Sequence, residues 1–296
     1  MPSPELAVVV EMLRANPVLG DGSFEELRSG MEEATGQMPL PDDLKLESVD
    51  AGGVAAEWST VDGADSARTL LYLHGGGYTI GSVRTHRHLV AAISRASGMR
   101  VLSLDYRLGP EAPFPAAVED ACTGYRFLLE QGLPASRIAI AGDSAGGGLT
   151  AAALLALRDS GDPLPAAGVC LSPWLDLTQS GDSIADRAPR DPMLDRATLE
   201  RMAAAYLNGA DPRAPYASPL FAELRGLPPL LLQVGGAEVL YDDATRFAER
   251  AAAAGVDVTL EPWDDMVHVW HAFEASLPEA RQAIEHVGGF LRERLA

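Results

Sequence analysis

The sequence predicts a domain of the α/β class: a mostly parallel central sheet with helices on both faces. Three observations carry this expectation. Short apolar runs, each the length of one buried strand, recur along the chain, and stretches of helical periodicity lie between most of them. Proline and glycine stand at the helix boundaries, where their backbone preferences belong. The 296 residues, 47% hydrophobic by composition, are enough to bury one large core.

The chain opens on "MPSPELAVVVEML", an apolar run interrupted by Glu5 and Glu11 and without a basic leader, which reads as an amphipathic helix and not as a signal peptide. A second helical stretch starts with the capping pattern Ser23 to Glu26. From about residue 43 the alternation begins. The runs "TLLYLH" (69–74), "RVLSLDY" (100–106), "RIAIAG" (137–142), "AGVCLSPW" (167–174), "PLLLQVGG" (229–236) and "VDVTLEPW" (256–263) read as buried strands. Helical patterns cover 86–97, 115–131, 146–159, 242–254 and 276–295, with Pro115 at a start and Gly98, Gly161 and Gly255 at ends. Residues 176–219 break the rhythm, since they hold no strand pattern and are helical only in their centre, Met193 to Asn208. The expected organisation is a catalytic body of 43–175 and 220–296, with 176–219 inserted as a cap to which the helices of 1–42 contribute. An ordinary surface excursion is the plainer alternative for the insertion.

The formal charge of -19 disfavours nucleic acid or an anionic membrane as partner, because either would repel this surface at long range. Small neutral or cationic molecules remain open. No uninterrupted apolar stretch is long enough to span a bilayer. Cys122, in a helical pattern, and Cys170, in a strand pattern, read as core residues and not as a disulfide or a metal pair. These features lead to the expectation of a soluble, cytoplasmic protein.

Gly142-Asp143-Ser144-Ala145-Gly146 fits G-x-S-x-G, a weak pattern by itself. Its context adds the weight: a strand run ends just before Ser144 and a helical run begins just after it, as a nucleophile elbow requires. Flanking glycines suit a turn so sharp that a neighbouring side chain would collide with the adjoining strand or helix. Gly181-Asp182-Ser183 begins in the same way but follows no strand, so Ser183 is assigned no function. The second glycine motif, "LYLHGGGYTIGS" (71–82), follows an earlier strand, and its three consecutive glycines suggest a need for bare amides. Gly76 and Gly77, with Ala145 after the serine, are the expected oxyanion donors of an acyl transfer, and His74 and Gly75 are expected to hold the loop's shape. Phosphate binding fits poorly, because no Gly-Lys-Ser/Thr follows and the spacing is not G-x-G-x-x-G.

On such an elbow the partners follow in the order serine, acid, histidine, which leaves His268, His271 and His286 as candidate bases. His286 falls inside the last helical pattern. His268 and His271 are three apart with no further ligand cluster, so a zinc site is a weak reading and no metal is expected. His268 follows the last strand run by a short loop and is the expected base, with His271 starting the next segment. For the acid, Glu238, Asp242 and Asp243 compete. Glu238 stands directly after a strand end, whereas the two aspartates suit a helix N-cap and first turn. Glu238 is preferred, and Asp242 is kept as the alternative.

These residues resemble the bacterial hormone-sensitive-lipase-like family of α/β-hydrolase esterases, which shares the His-Gly-Gly-Gly loop (74–77) and the Gly-Asp-Ser-Ala-Gly elbow (142–146). "DYRLGPEAPFPAAVED" (105–120) looks like a further family segment, with Gly109 in place of the usual alanine, and suggests a buried ion pair between Asp105 and Arg107. Where family members carry an aspartate in Asp-Pro-Leu as the triad acid, this chain reads "EVLYDD", which puts Glu238 in that place. The resemblance implies an α/β-hydrolase fold, hydrolysis of short-acyl esters by Ser144, Glu238 and His268, no cofactor, a cap over the acyl and alcohol pockets, and a homodimer. A lactonase or aryl-amide deacylase would use the same machinery. A non-catalytic small-ligand receptor is the reading from another class: the plant gibberellin receptors resemble this family but lack the histidine, and here His268 is present.

Overall fold

A computed structural model describes residues 2–16, 19–20 and 22–295. Two helices, α1 (Pro4–Ala15) and α2 (Phe24–Gly36), precede a run of three strands, β1 (Leu44–Asp50), β2 (Ala55–Val61) and β3 (Asp65–Leu73). Strands and helices then alternate: α3 (Arg87–Ser97), β4 (Met99–Leu104), α4 (Ala116–Glu130), β5 (Ile138–Asp143), α5 (Ala145–Ser160) and β6 (Ala167–Leu171). The short α6 (Ser183–Asp186) and α7 (Arg196–Leu207) interrupt this order before β7 (Leu230–Gly235), α8 (Tyr241–Ala253), β8 (Val258–Trp263) and α9 (Pro278–Arg294). The eight strands form one sheet in the order β1-β2-β4-β3-β5-β6-β7-β8. Only β2 runs against its neighbours; all the other pairings from β4 to β8 are parallel. The expected fold class is therefore observed.

Continuous apolar strands arise because both sheet faces are covered. Along β3, Leu71 and Leu73 point to the face packed by α4, α5 and α8, where Tyr125, Leu149 and Phe247 sit. Leu70 and Tyr72 point to the opposite face, against Leu89, Val90 and Ile93 of α3 and Ile284 and Val287 of α9. Strands β1 and β2 escaped the sequence reading because they are not continuous apolar runs. β1 is the sheet edge and none of its residues is fully buried. β8, expected to be buried, is the other edge and only half-buried. Both cysteines are buried and free, as core residues should be. The Ser23–Glu26 pattern is a full capping box at the start of α2.

The two N-terminal helices brace the loops at the top of the sheet. α1 packs Leu6, Val9 and Leu13 against Met266, Val267 and Trp270, the segment that carries His268. In α2, Arg28 donates to the carbonyls of Thr79 (2.7 Å) and Gly109 (2.8 Å). From α7, Arg201 reaches the Gly20 and Gly22 carbonyls and lies over the Phe24 ring. Gly109 has a steric reason to lack a side chain, since a Cβ there would lie 3.0 Å from the Ala205 carbonyl and 3.1 Å from Tyr206 Cα. Among the described residues, no helix is long and apolar enough to cross a membrane.

The suggested ion pair between Asp105 and Arg107 does not form. Both residues are exposed just beyond β4. Arg107 instead makes a bidentate pair with Asp120 of α4 (2.7 Å to Oδ1), which also accepts from the Arg107 amide, while Asp105 takes the Val83 amide at 3.4 Å. The helix that returns over the sheet offers Arg107 a fixed fork of acceptors; Asp105, two residues earlier, does not.

The contact of α3 with α9 gives a paired stability prediction. A Cβ on Gly288 would press into the Ala96 carbonyl, whereas one on Gly289 would meet only the tip of Arg292 at 3.9 Å. Gly288→Ala should lose about 1–3 kcal/mol in urea unfolding, and Gly289→Ala should be neutral or gain up to about 1 kcal/mol from its helical position.

Candidate active site

Ser144 is the single residue between β5 and α5 and has φ 54° and ψ -121°, a conformation that a residue with a side chain rarely adopts. The surroundings impose it. The Ser144 amide donates to the Leu171 carbonyl (2.8 Å), and its own carbonyl accepts from Gly148 (3.0 Å) and Trp174 (2.9 Å). Gly146 and Gly142 let the elbow press on the end of β3: a Cβ on either would run into the Leu73 carbonyl. The side chain is thereby set at the N-terminal end of α5, where amides and helix dipole favour negative charge.

The structure brings three of the expected residues into one buried hydrogen-bonded row. Ser144 Oγ lies 2.9 Å from His268 Nε2, and His268 Nδ1 lies 2.7 Å from Glu238 Oε2. Nδ1 faces a carboxylate and so carries the proton, which leaves Nε2 as acceptor for the serine hydroxyl. Glu238 sits between β7 and α8 and also accepts from Ser172 Oγ (2.8 Å) and the Gly235 amide. Burial raises the Glu238 pKa, with His268, Gly235 and Ser172 opposing it; burial lowers that of His268, but the bond and charge of Glu238 outweigh it and the net shift is upward.

The loop after β3 lies beside the elbow. Gly76 and Gly77 have φ 118° and 59°, a region that favours glycine. Among the described residues, the amides of Gly76, Gly77 and Ala145 have no protein acceptor. The turn is closed by the Thr79 and Ile80 amides on the Gly76 carbonyl (3.0 and 2.9 Å), and Tyr106 donates its hydroxyl to the His74 carbonyl at 2.7 Å. His74 stacks on Tyr106 and its Nδ1 donates to the Gly75 carbonyl; burial brings its pKa down to about 3, so the ring is neutral. From α7, Met202 packs against Gly77 and Tyr206 stacks on Tyr78 with ring centroids 3.9 Å apart.

The competing residues are engaged elsewhere. Asp242 and Asp243 both lie in the first turn of α8, whose N-cap is Leu240 and not an aspartate. Asp243 takes the Leu175 and Asp176 amides (2.8 Å each), and Asp242 takes the Ser183 amide (2.9 Å). Ser183 donates to the Val239 carbonyl. His271 is the second residue of the short turn 270–273 and lies 2.8 Å from Gln233 Oε1, and His286 is half-exposed beside Glu261.

Two residues were missed in the sequence. Ser172 donates to Glu238 and accepts from the Val269 amide (3.1 Å), tying the acid to the histidine loop. Asp191 takes the Val239 amide (2.9 Å) and those of Met193 and Leu194, joining the inserted segment to the Glu238 loop. The only hint of Ser172 was a polar residue at the end of the run "AGVCLSPW".

A sheet of this topology with a serine elbow after β5, an acid after β7 and an imidazole after β8 defines a hydrolase of the α/β class. A family profile described as alpha/beta hydrolase fold matches residues 70–272. An acetyl-hydrolase of Streptomyces hygroscopicus is 52% identical over 295 residues, 99% of this chain and 97% of the relative. A putative acetyl-hydrolase of Mycobacterium tuberculosis is 37% identical, covering 86% of this chain and 82% of the relative. Among solved structures, an esterase from the bacterial hormone-sensitive lipase family superposes with a TM-score of 0.97 at 53% identity over 100% of both chains. This chain belongs to the bacterial hormone-sensitive-lipase-like family of α/β-hydrolase esterases.

Ser172→Ala would leave Glu238 Oε1 short of one donor and the Val269 amide unpaired. Urea unfolding should report a loss of about 1–3 kcal/mol, and p-nitrophenyl butyrate hydrolysis should slow without a matching rise in KM.

Proposed function

We propose that the chain is a carboxylesterase that cleaves short-acyl esters through an acyl-enzyme on Ser144. The observation that carries this reading is the unbroken row Ser144–His268–Glu238, with both contacts of the imidazole at hydrogen-bond distance. His268 Nε2 takes the hydroxyl proton as Ser144 Oγ bonds to the ester carbon. The carbonyl oxygen becomes an oxyanion, received by the amides of Gly76, Gly77 and Ala145. As the intermediate collapses, the carbon–oxygen bond to the alcohol breaks and the alcohol leaves with the proton from His268. Water then repeats the sequence and releases the acid. Glu238 holds the imidazole in the required tautomer and stabilises the imidazolium.

Residues 176–219, with the helices of 1–42, act as a cap over the body formed by 43–175 and 220–296. Support comes from the bonds of Arg201 to the α2 entry and of Asp191 to the Glu238 loop. The preference for short acyl groups is supported by the name of the acetyl-hydrolase relative and by Met202, a buried side chain that fills the space beside Gly77.

Ser144→Ala should lower kcat for p-nitrophenyl butyrate by about 10³-fold or more, and Glu238→Gln by about 10²-fold or more with Asp242→Asn far less affected. A fluorophosphonate should label Ser144; hydrolysis at the wild-type rate by Ser144→Ala would end the proposal. The base must be neutral to act, and Glu238 raises its pKa, so kcat/KM should rise with pH through a midpoint above the ordinary histidine value of about 6.5. Glu238→Gln should move that midpoint to lower pH. In a series of p-nitrophenyl esters, kcat/KM should be highest for acetyl to butyryl and fall for longer chains.

A further inference from the structure

The Gly76 carbonyl and the Gly77 N–H are two ends of one planar peptide, so whatever fixes the carbonyl also aims the amide. That carbonyl is gripped by the Thr79 amide (3.0 Å) and the Ile80 amide (2.9 Å). Each gripping peptide is held in turn at its oxygen end. In the Tyr78–Thr79 peptide, the Tyr78 carbonyl accepts from the Gly109 amide (2.8 Å); in the Thr79–Ile80 peptide, the Thr79 carbonyl accepts from Arg28 Nε (2.7 Å). Arg28 also holds the residue that supports the first peptide, because its Nη2 donates to the Gly109 carbonyl (2.8 Å). Both routes to the Gly77 amide therefore end on one guanidinium. Glu111 fixes that group from the other side, accepting from Nη1 at 2.9 Å and from Nη2 at 2.8 Å, which sets the plane of the fork.

The turn needs holding. Gly76, Gly77 and Tyr78 have φ 118°, 59° and 61°, and Tyr78 is not a glycine, so its conformation is strained. The helix that brings Arg28, α2, has no fully buried residue and is seated by half-buried Leu27 and Met31 together with its polar contacts. A charge-assisted bond on the Thr79 carbonyl also polarises the peptide behind it. The Ile80 N–H passes the effect in the same sense to the Gly76–Gly77 peptide, so the guanidinium charge strengthens the Gly77 N–H as a donor. A lysine ammonium is not a planar fork and does not reproduce this set of bonds. We propose that Arg28 is a positioning residue for the reaction: from outside the strained turn, it fixes and polarises the peptides that aim the Gly77 amide at the oxyanion.

This inference rests on the proposed ester hydrolysis at Ser144, with Gly77 as an oxyanion donor. Loss of a whole donor costs about 10²–10³-fold in rate, and a misaimed one should cost less. Arg28→Ala should therefore lower kcat for p-nitrophenyl butyrate about 10-fold with KM within about 2-fold. A trifluoromethyl ketone forms a hemiketal on the serine whose oxygen stands where the oxyanion does, and its Ki should rise by about the same factor. Arg28→Lys, with one ammonium in place of the fork, should show about a 3-fold loss in both readouts. Glu32→Ala is the control for the seating of α2, since Glu32 bonds to Ser82 and Arg84 and to neither gripping peptide; its kcat should stay within about 2-fold of wild type. An unchanged kcat in Arg28→Ala, a change in KM alone, an unchanged Ki, or an equal loss of kcat in Glu32→Ala overturns the inference. If Arg28→Ala does not fold, Arg28→Lys decides by the same two readouts, which must fall together. The Ser144→Ala variant separates the two claims: wild-type hydrolysis there sinks the ester reading, whereas the Arg28 results sink only this inference.

Discussion

The close approach of the serine elbow to the end of β3 is the constraint on which the rest of the site depends. Gly142 and Gly146 lie so near the Leu73 carbonyl that no side chain fits at either position. This contact sets the strained Ser144 beside the glycine loop that continues β3, so the proposed nucleophile and the free amides are placed by one packing event. The strain at Ser144 is held by neighbours whose own bonds need it, namely the Leu171 carbonyl and the Trp174 amide. Asp143 adds a direct tie from the elbow to Gly75.

Four loops at the carboxyl ends of the parallel strands converge on this contact, the usual place for a site in a sheet of this kind. The strands fix where each loop starts, and elements outside the sheet fix where it ends. α1 packs against the segment around His268, Ser172 ties Glu238 to Val269, and Asp191 ties the inserted segment to Val239. A buried imidazole and carboxylate would be costly alone, but here each has its partners, which is the condition for keeping such groups in a low-dielectric interior.

Two departures from the family pattern have local explanations. Glu238, longer than the usual aspartate, is received by the Ser172 hydroxyl and the Gly235 amide while its other oxygen meets His268. Gly109, in place of the usual alanine, lets the backbone of α7 come close and helps to bring Tyr206 over Tyr78.

The central strands, their helices and the serine elbow were legible in the sequence because they depend on local patterns: apolar runs buried on both faces, helical periodicity, and glycines at a tight turn. His268 and Glu238 could be singled out because the loops that follow parallel strands gather at one edge of the sheet. The edge strands β1 and β8 were missed or misjudged because half-exposed strands lose the continuous apolar signal. Partnerships across the chain were not legible at all. Arg107 turns to Asp120 and not to Asp105, Ser172 bridges Glu238 and Val269, and His86 meets Asp143, because hydrogen-bond partners are chosen by proximity in three dimensions and leave no spacing rule in the chain.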